Sequence, residues 1–562
     1  MALLKKDKVK PVIRSTTRSG VETSPLRPYL QPKLAPCMDT CPQGTEIRRV
    51  LMLIAQAQKY ERPQADAFAE AWRILTEKNP LPAVCGRVCP HHCEDACNRK
   101  DKDGALGINS VERFLGDWAL AQGLELGKAG NGDEGGSCRE KIAVIGSGPA
   151  GLSCAYQLAR KGYSVTIFEA FPRPGGMLRY GIPSYRLPRR ILDAEIDRIL
   201  RMGVELRSNT AVGKDIAYAQ VRAEYDAVFV GIGAHQGVQL GCPGEDAANV
   251  LSGIEFLRSA NSGNPVQLGN RVVVVGGGDT AIDAARVALR MGAKATLLYR
   301  RTRNEMPAIE EEIVGAEEEG VQFRFLAAPL EVLTENGRAI AVRCQEMELG
   351  EPDESGRRRP IPVAGKEFTV ETDGVIAAVS QRPDFWGLDS LAEGLWARAD
   401  GQGATDADNV YAGGDAMSLG LVTIALYQGR RAADSIHRRF RGLEPPKEAE
   451  PALPVVKSDR VMLQWYQAAL RHQAARLAAG ERLEKPWEEF TPTLSEAEAI
   501  AEAQRCMSCG SCFDCGSCWS FCQDQAVIKP VAPGEPYRFK LEFCNGCNKC
   551  KENCPCGLIE MR

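Results

Sequence analysis

KIAVIGSGPAGLSCAYQLARKGYSVTIFEAFPRPGGMLRYGIPSYRLP, residues 141–188, is the stretch whose reading decides the fold. An apolar run at 142–145 reads as a buried strand, and it feeds Gly146, Gly148 and Gly151 in a G-x-G-x-x-G turn. A helical stretch follows, and a second apolar strand, Ser164–Phe168, ends on Glu169. Each part has a physical job. The first glycine allows a tight turn, the second lets the backbone approach a pyrophosphate, and the third lets helix and strand pack closely, while the helix N-terminus faces the phosphates. Glu169 is placed to accept hydrogen bonds from a ribose hydroxyl. A glycine triplet alone is an ordinary turn; strand, helix and terminal acid together make the dinucleotide fingerprint.

Working outward, a second nucleotide fold interrupts the first. Arg271–Val275 leads into Gly276, Gly278 and Ala281, an accepted variant of the fingerprint, followed by an expected helix at 281–291 and a strand at 295–299. After this strand stand Arg300 and Arg301 in YRRTR rather than an acid. Arginines suit a 2′-phosphate by charge and fork geometry, so NADP(H) is favoured, with NAD(H) as the alternative. The chain is then expected to return to the first domain through a core strand and turn at 373–383. Next comes VYAGGD, where Gly414 and Asp415 form a second flavin signature, the aspartate able to bond a ribityl chain. Paired with the first fingerprint in this order, it makes FAD the expected ligand there. A helix at 421–439 would aim its N-terminal dipole at the flavin's electron-rich edge. Gly175 and Gly176, just beyond Glu169, mark a further turn at that site. No Cys-x-x-x-x-Cys pair follows the first fingerprint, so a thiol pair is not the expected electron outlet.

The outlet is read from the cysteines, 21 in all. The C-terminal part carries Cys512, Cys515, Cys518 and Cys522, then Cys544, Cys547, Cys550 and Cys554, two copies of the bacterial ferredoxin run C-x2-C-x2-C-x3-C. In that motif the fourth cysteine of each run ligates the other cluster. The expected sets are therefore Cys512, Cys515, Cys518 and Cys554 around one [4Fe-4S], and Cys544, Cys547, Cys550 and Cys522 around the other. Cys506, Cys509 and Cys556 read as spare thiols, with a register using Cys506 or Cys509 left open. Near the other end, Cys37 and Cys41 precede a helical interval at 47–76, and Cys85, Cys89, Cys93 and Cys97 follow it. Six bunched thiolates suit iron and sulfide, with zinc the alternative for four of them. Cys138, Cys154, Cys242 and Cys344 read as plain small residues.

The strings NPLPAVCGRVCPHHCEDAC, INSVERFL and GGMLRYGIPSYRLP resemble the small subunit of bacterial NADPH-dependent glutamate synthase. That family is similar to the N-terminal half of dihydropyrimidine dehydrogenase and to the large subunit of electron-bifurcating ferredoxin:NADP oxidoreductase. YRRTRNEMPA resembles its nicotinamide domain. Carried over by position, the resemblance implies one [4Fe-4S] on Cys41, Cys85, Cys89 and Cys93, while Cys37 and Cys97 match half the ligands of another. The two cysteines the family has just upstream of Cys37 are replaced by RPYLQPKLAP, so three clusters are expected and a fourth lacks its set. The appended C-terminal module resembles flavoproteins serving dissimilatory sulfite reductase or 2-oxoacid and aromatic-CoA oxidoreductases.

Length and composition agree with this organisation. A chain of 562 residues suggests several domains, and a net charge of -3 gives no electrostatic reason to expect nucleic acid or an anionic membrane. The start, MALLKKDKVKPVIRS, lacks the apolar core of a signal peptide, and a cytoplasmic location follows from this and from the many thiols. The expected architecture is α/β and multidomain: an arm (1–36), a helical Fe-S domain (37–126), a FAD domain in two parts (138–260 and 371–441) and a nicotinamide domain nested between them (261–370). A connector (442–500) and an α+β ferredoxin-like domain (501–562) complete it. The Gly-rich stretch at 127–137 reads as a linker. The expected function is an NAD(P)H:acceptor oxidoreductase passing electrons between NADPH, FAD and clusters to or from ferredoxin or a larger redox complex, as part of a hetero-oligomer. Hydride would move directly between nicotinamide and flavin, so no catalytic acid or base is named. The alternatives are an electron-relay and assembly subunit with little activity alone, and the glutamate synthase small subunit itself.

Overall fold

The structure is a computed structural model and describes residues 24–127, 138–354, 356–444, 453–532 and 534–562. Most of the expected arm, nearly all of the linker and residues 445–452 near the start of the connector lie outside these residues.

Two parallel five-stranded sheets organise the centre. The first runs Val410–Ala412, Ala227–Val230, Lys141–Ile145, Ser164–Phe168, Glu205–Arg207, and the second Gln322–Phe325, Lys294–Tyr299, Arg271–Val275, Gly374–Ala377, Val250–Ser252. Their central strands are continuous Val, Ile and Phe runs with almost every side chain buried. Helices covering both faces produce this pattern. Gly374–Ala377 pairs in parallel with both Arg271–Val275 and Val250–Ser252. This corrects the sequence expectation that the segment rejoins the first domain: it completes the second sheet, and Val250–Ser252 with helix Gly253–Asn261 belongs there too. Neither segment carries a local signal of which sheet it pairs with. The chain crosses between the domains through Gln236–Gly237 paired with Gln381–Arg382. An antiparallel trio, Ala327–Glu335, Arg338–Pro352 and Arg358–Glu371, is appended to the second domain.

The expected helical interval at 47–76 is two helices, Ile47–Ala55 and Gln64–Thr76, parted by a turn containing Glu61 at φ 53° and by Pro63. Proline lacks the N–H that a continuing helix needs. Helices Pro82–Val88 and Ile108–Ala121 join them in a bundle sealed to the first nucleotide domain. There the buried Glu195 carboxylate accepts the N–H groups of Ala83 and Val84, each at 2.9 Å. These are two of the otherwise unpaired donors at the start of a helix.

The connector holds little helix. Among its described residues only Ala479–Glu484 and Glu496–Gln504 are α-helical, and apart from short 3-10 turns at Ser458–Arg460 and Leu463–Trp465 the remainder is an irregular strap. Its side chains explain why: they pair with neighbours instead of forming one apolar stripe. Glu489 binds Arg87 and Arg113 of the helical bundle, Arg482 pairs with Glu318, and Phe490 enters the core of the second domain. Helix Glu496–Gln504 buries Ala499 and Ala503 in the core of the N-terminal bundle. Glu502 Oε1 accepts the Gly107 N–H at 2.7 Å. Strand Pro28–Leu30 pairs antiparallel with Ile559–Met561, so early and late segments of the chain form one unit.

Candidate cofactor and cysteine sites

A cavity of about 1000 Å³ opens at the C-terminal ends of the first sheet's strands, the place where open α/β sheets bind ligands. Gly146, Gly148, Glu169, Gly176, Gly414 and Asp415 all line it. Gly146 sits at φ 98°, and a Cβ on it would stand 2.4 Å from the Gly231 carbonyl oxygen. A Cβ on Gly151 would lie 1.9 Å from the Gly146 oxygen, which is how closely helix Pro149–Arg160 meets its strand. Gly148 differs from both. Nothing lies within 4 Å of its would-be Cβ, so that methyl would project into the cavity at the helix N-terminus. This is open room for a pyrophosphate against bare backbone.

Glu169 is buried, which raises its carboxyl pKa, against hydrogen bonds from Ser147 and backbone N–H groups that favour the charged form. It accepts the N–H of Phe171 at 2.8 Å and that of Ser147 at 3.0 Å, as well as the Ser147 hydroxyl. Ser147 Oγ in turn accepts the Gly175 N–H at 3.0 Å, joining the two glycine turns. Gly414 donates to Gln428 Oε1 at 2.7 Å, and burial pushes the Asp415 carboxyl up to about 6. His235 also lines the cavity. Its Nδ1 is buried without a partner, and burial, with Arg258 nearby, lowers its pKa to about 4. Ser147, His235 and the Gly231–Gly233 turn were missed by sequence reasoning; the strand-end string VFVGIGAHQG was the available signal. The second domain closes one side of the cavity with Leu251, Ser252, Glu255 and Ala377.

At the second fingerprint, Gly276 sits at φ 146° and Gly278 is again open, its would-be Cβ 3.9 Å from Pro307. Ala281, in the first turn of helix Asp279–Arg290, is fully buried. The two arginines separate. Arg300 is exposed, whereas Arg301 is buried, donating to Asp353 Oδ2 at 2.6 Å and to the Arg358 carbonyl at 2.7 Å. This corrects the expectation that both grip a phosphate: the hairpin at 353–358 occupies the Arg301 fork.

Cys41, Cys89 and Cys93 line one small cavity beside Gln43, Asn79 and Thr423, and both amide atoms of the Gln43 side chain are buried without partners. Cys85 lies next to Cys89, with its thiol 3.6 Å from Asn79 Oδ1. Burial pushes the Cys89 thiol up to about 12, with Glu112 and Cys41 adding to the shift. In the C-terminal part, Cys512 and Cys518 lie near Cys515 and Cys554, Cys518 lies near Cys550 as well, and Cys550 lies near Cys544, Cys547 and Cys522. Cys556 packs 3.7 Å from Cys554 and holds its pKa down, to about 6, with help from nearby backbone N–H groups. All 21 cysteines are free thiols. Among the described residues, no three His, Cys, Asp or Glu side chains converge tightly enough to hold one metal ion.

Two nucleotide folds sharing one large cavity, with grouped thiols beside it, define the class of pyridine nucleotide-linked flavoprotein oxidoreductases. The chain belongs to the pyridine nucleotide-disulphide oxidoreductase family, whose model matches residues 140–429. Residues 10–124 match the family described as dihydropyrimidine dehydrogenase domain II, 4Fe-4S cluster. The chain is 42% identical over 448 residues to NADPH-Fe(3+) oxidoreductase subunit beta of Geobacter sulfurreducens, covering 73% of this chain and 64% of that protein. It is 42% identical over 435 residues to NADP(+)-dependent formate dehydrogenase subunit beta of Moorella thermoacetica, covering 72% and 60%. With the glutamate synthase (NADPH) small chain of Escherichia coli it shares 38% over 400 residues, covering 65% and 82%. It thus spans less than two thirds of the first two of these relatives. The glutamate synthase resemblance read from the cysteine strings is borne out, and the chain carries a FAD- and NADPH-binding oxidoreductase domain together with a 4Fe-4S domain. No helix among the described residues is long and apolar enough to cross a membrane.

Proposed function

We propose that the chain is an NAD(P)H:acceptor oxidoreductase subunit that relays electrons between NADPH, FAD and at least three [4Fe-4S] clusters. When bound, FAD exchanges electron pairs with nicotinamide and single electrons with iron-sulfur centres. The chain's own residues supply place and orientation. Gly146, Gly148, Gly151, Glu169, Gly175, Gly176, Gly414 and Asp415 would hold the FAD, with the open edge at Gly148 taking the pyrophosphate. Gly276, Gly278 and Ala281 would seat the nicotinamide dinucleotide, and Arg300, free at the strand end, would meet a 2′-phosphate. Cys41, Cys85, Cys89 and Cys93 would hold one cluster and the crossed C-terminal sets two more.

One observation carries the reading. Helix Val422–Arg441 begins in a wall common to two sites: Leu421, Val422 and Ala425 face the large cavity, while Thr423 faces the cavity of Cys41, Cys89 and Cys93. The flavin site and the N-terminal thiol set are therefore separated by the first turn of one helix. This adjacency favours outward traffic from the flavin through thiol-held iron over a disulfide outlet. That two relatives are named as beta subunits and a third as a small chain supports a hetero-oligomeric partner, ferredoxin or a larger redox enzyme. Twenty-one free thiols favour a reducing compartment, the cytoplasm. The test is anaerobic addition of NADPH to the purified chain, followed by absorbance. Bleaching of flavin and iron-sulfur bands together is expected; flavin bleaching with the clusters left oxidised would refute the relay.

A further inference from the structure

Cys506 and Cys509, read from the sequence as spare, have the backbone of cluster-binding loops. In Cys512-x2-Cys515 the N–H two residues after the first cysteine, Asp514, donates to its sulfur at 3.4 Å, and in Cys544-x2-Cys547 Gly546 does the same at 3.4 Å. The pattern recurs at Cys506, whose sulfur accepts the Ser508 N–H at 3.5 Å. The dihedral angles repeat as well. Positive φ falls at Asp514 (56°) and Gly516 (78°), at Gly546 (75°) and Asn548 (63°), and at Ser508 (48°) and Gly510 (72°). A serine in the left-handed region is uncommon and costs free energy unless the surroundings demand it. Three C-x2-C loops thus share one conformation, and two of them are ferredoxin runs.

The other half of a ligand set stands opposite this loop. Cys37 lies close to Cys506, Cys97 and Cys509, all of them packed on the core of the N-terminal bundle. Cys506 and Cys509 likewise each feel Cys97. All four pack against the same core of the N-terminal bundle, to which helix Glu496–Gln504 delivers Cys506. The position is braced: Asn98, the residue after Cys97, reaches 3.6 Å from Cys509 Sγ and donates to the Val456 carbonyl at 2.9 Å. Arg48 donates to the Cys509 carbonyl at 2.6 Å and is the cation facing Cys37, Cys506 and Cys509. Four thiols on one partly buried face would repel one another as thiolates, so a positively charged group among them is favoured.

We propose that Cys37, Cys97, Cys506 and Cys509 together hold a further [4Fe-4S] cluster, with two ligands from each end of the chain. The proposal rests on the reading that the other thiol sets hold iron-sulfur clusters. The site stands between modules: Tyr466, whose hydroxyl donates to the Met507 carbonyl at 2.8 Å, is flanked by Cys506 and Cys509 as well as by Cys515 and Cys556. The fourth cluster would link the N-terminal set to the C-terminal pair.

The test is iron per chain in full-length protein purified anaerobically, with flavin content as the check on folding. The wild type should hold about sixteen irons, four per cubane. Cys37→Ala and Cys506→Ala should each lower this to about twelve, and the double variant should also stay at about twelve, because both remove the same cluster. A double variant at about eight would assign the two cysteines to different clusters, and single variants that keep the wild-type count would overturn the proposal. A wild type with no iron at all would instead defeat the underlying reading. Should a variant lose its flavin, iodoacetamide mapping of wild-type holoprotein decides. Protection of Cys37, Cys97, Cys506 and Cys509 relative to Cys242 is expected, and labelling as fast as Cys242 would overturn the assignment.

Discussion

The most direct probe of the flavin site is Gly148→Ala. Gly148 has φ -69° and ψ 179°, a conformation open to any L-residue, and its added methyl meets no protein atom within 4 Å. The fold should accept it at little cost, since reduced freedom of the unfolded chain offsets a slightly poorer helix cap. Its methyl would occupy the space where a pyrophosphate meets backbone N–H groups. Displacing the diphosphate by one methyl radius forfeits about two charge-assisted hydrogen bonds. Taking about 1.5 kcal/mol for each gives about 3 kcal/mol, or roughly 150-fold weaker FAD binding. The assay is titration of flavin-depleted protein with FAD, followed by quenching of flavin fluorescence, alongside a urea melt of the depleted protein. An unchanged melt with strongly weakened binding is the expected pair. FAD affinity within threefold of the wild type would refute the argument that the diphosphate lies against Gly148. Gly151→Ala is the contrast: its methyl would stand 1.9 Å from the Gly146 oxygen, so it should lower stability whether or not flavin is added.

Other outcomes follow from neighbouring features. Arg300→Ala should raise the KM for NADPH about tenfold, a loss of about 1.4 kcal/mol, and leave that for NADH unchanged; steady-state kinetics with both nucleotides check this. Arg301→Ala should instead lower the urea midpoint, because Asp353 and the Arg358 carbonyl lose their buried donor. Glu319 sits under the second fingerprint helix, paired with Arg286 and Arg290 with its side chain fully buried. Burial alone would raise its pKa, but hydrogen bonds from the two arginines hold it down, to about 2 against an ordinary 4.5. Its stabilisation is therefore complete above pH 4.5 and is lost as pH falls toward 2. Glu319→Gln should cost about 3 kcal/mol at neutral pH, and its gap from the wild type should narrow in urea melts below pH 4.5. Cys515→Ala should remove about four irons per chain while flavin content stays intact.

What was legible in the sequence was local. Each fingerprint is a strand, a turn and a helix within about thirty residues, and the ferredoxin runs declare themselves by spacing alone. What was not legible depends on distant pairing. Gly374–Ala377 is an apolar strand that fits either sheet, and only its neighbours at Val250–Ser252 and Arg271–Val275 choose. Arg300 and Arg301 are adjacent in sequence and share a residue type, yet a hairpin some fifty residues on binds one of them and leaves the other exposed. The strap at 466–494 has no periodicity to read, because its residues answer to Glu311, Glu318, Arg87 and Arg113 on other domains.

The antiparallel pairing of Pro28–Leu30 with Ile559–Met561, together with the Arg48 contact to Cys509 across 461 positions, has a consequence for biosynthesis. At ribosomal speeds of about 5–20 residues per second, roughly 20–110 s separate the emergence of these partners. For that interval Cys37 and Cys97 wait beside an unfinished surface, while both nucleotide folds are free to form. If that thiol group takes iron as proposed, its metallation would have to wait until Cys509 has emerged, after both nucleotide folds.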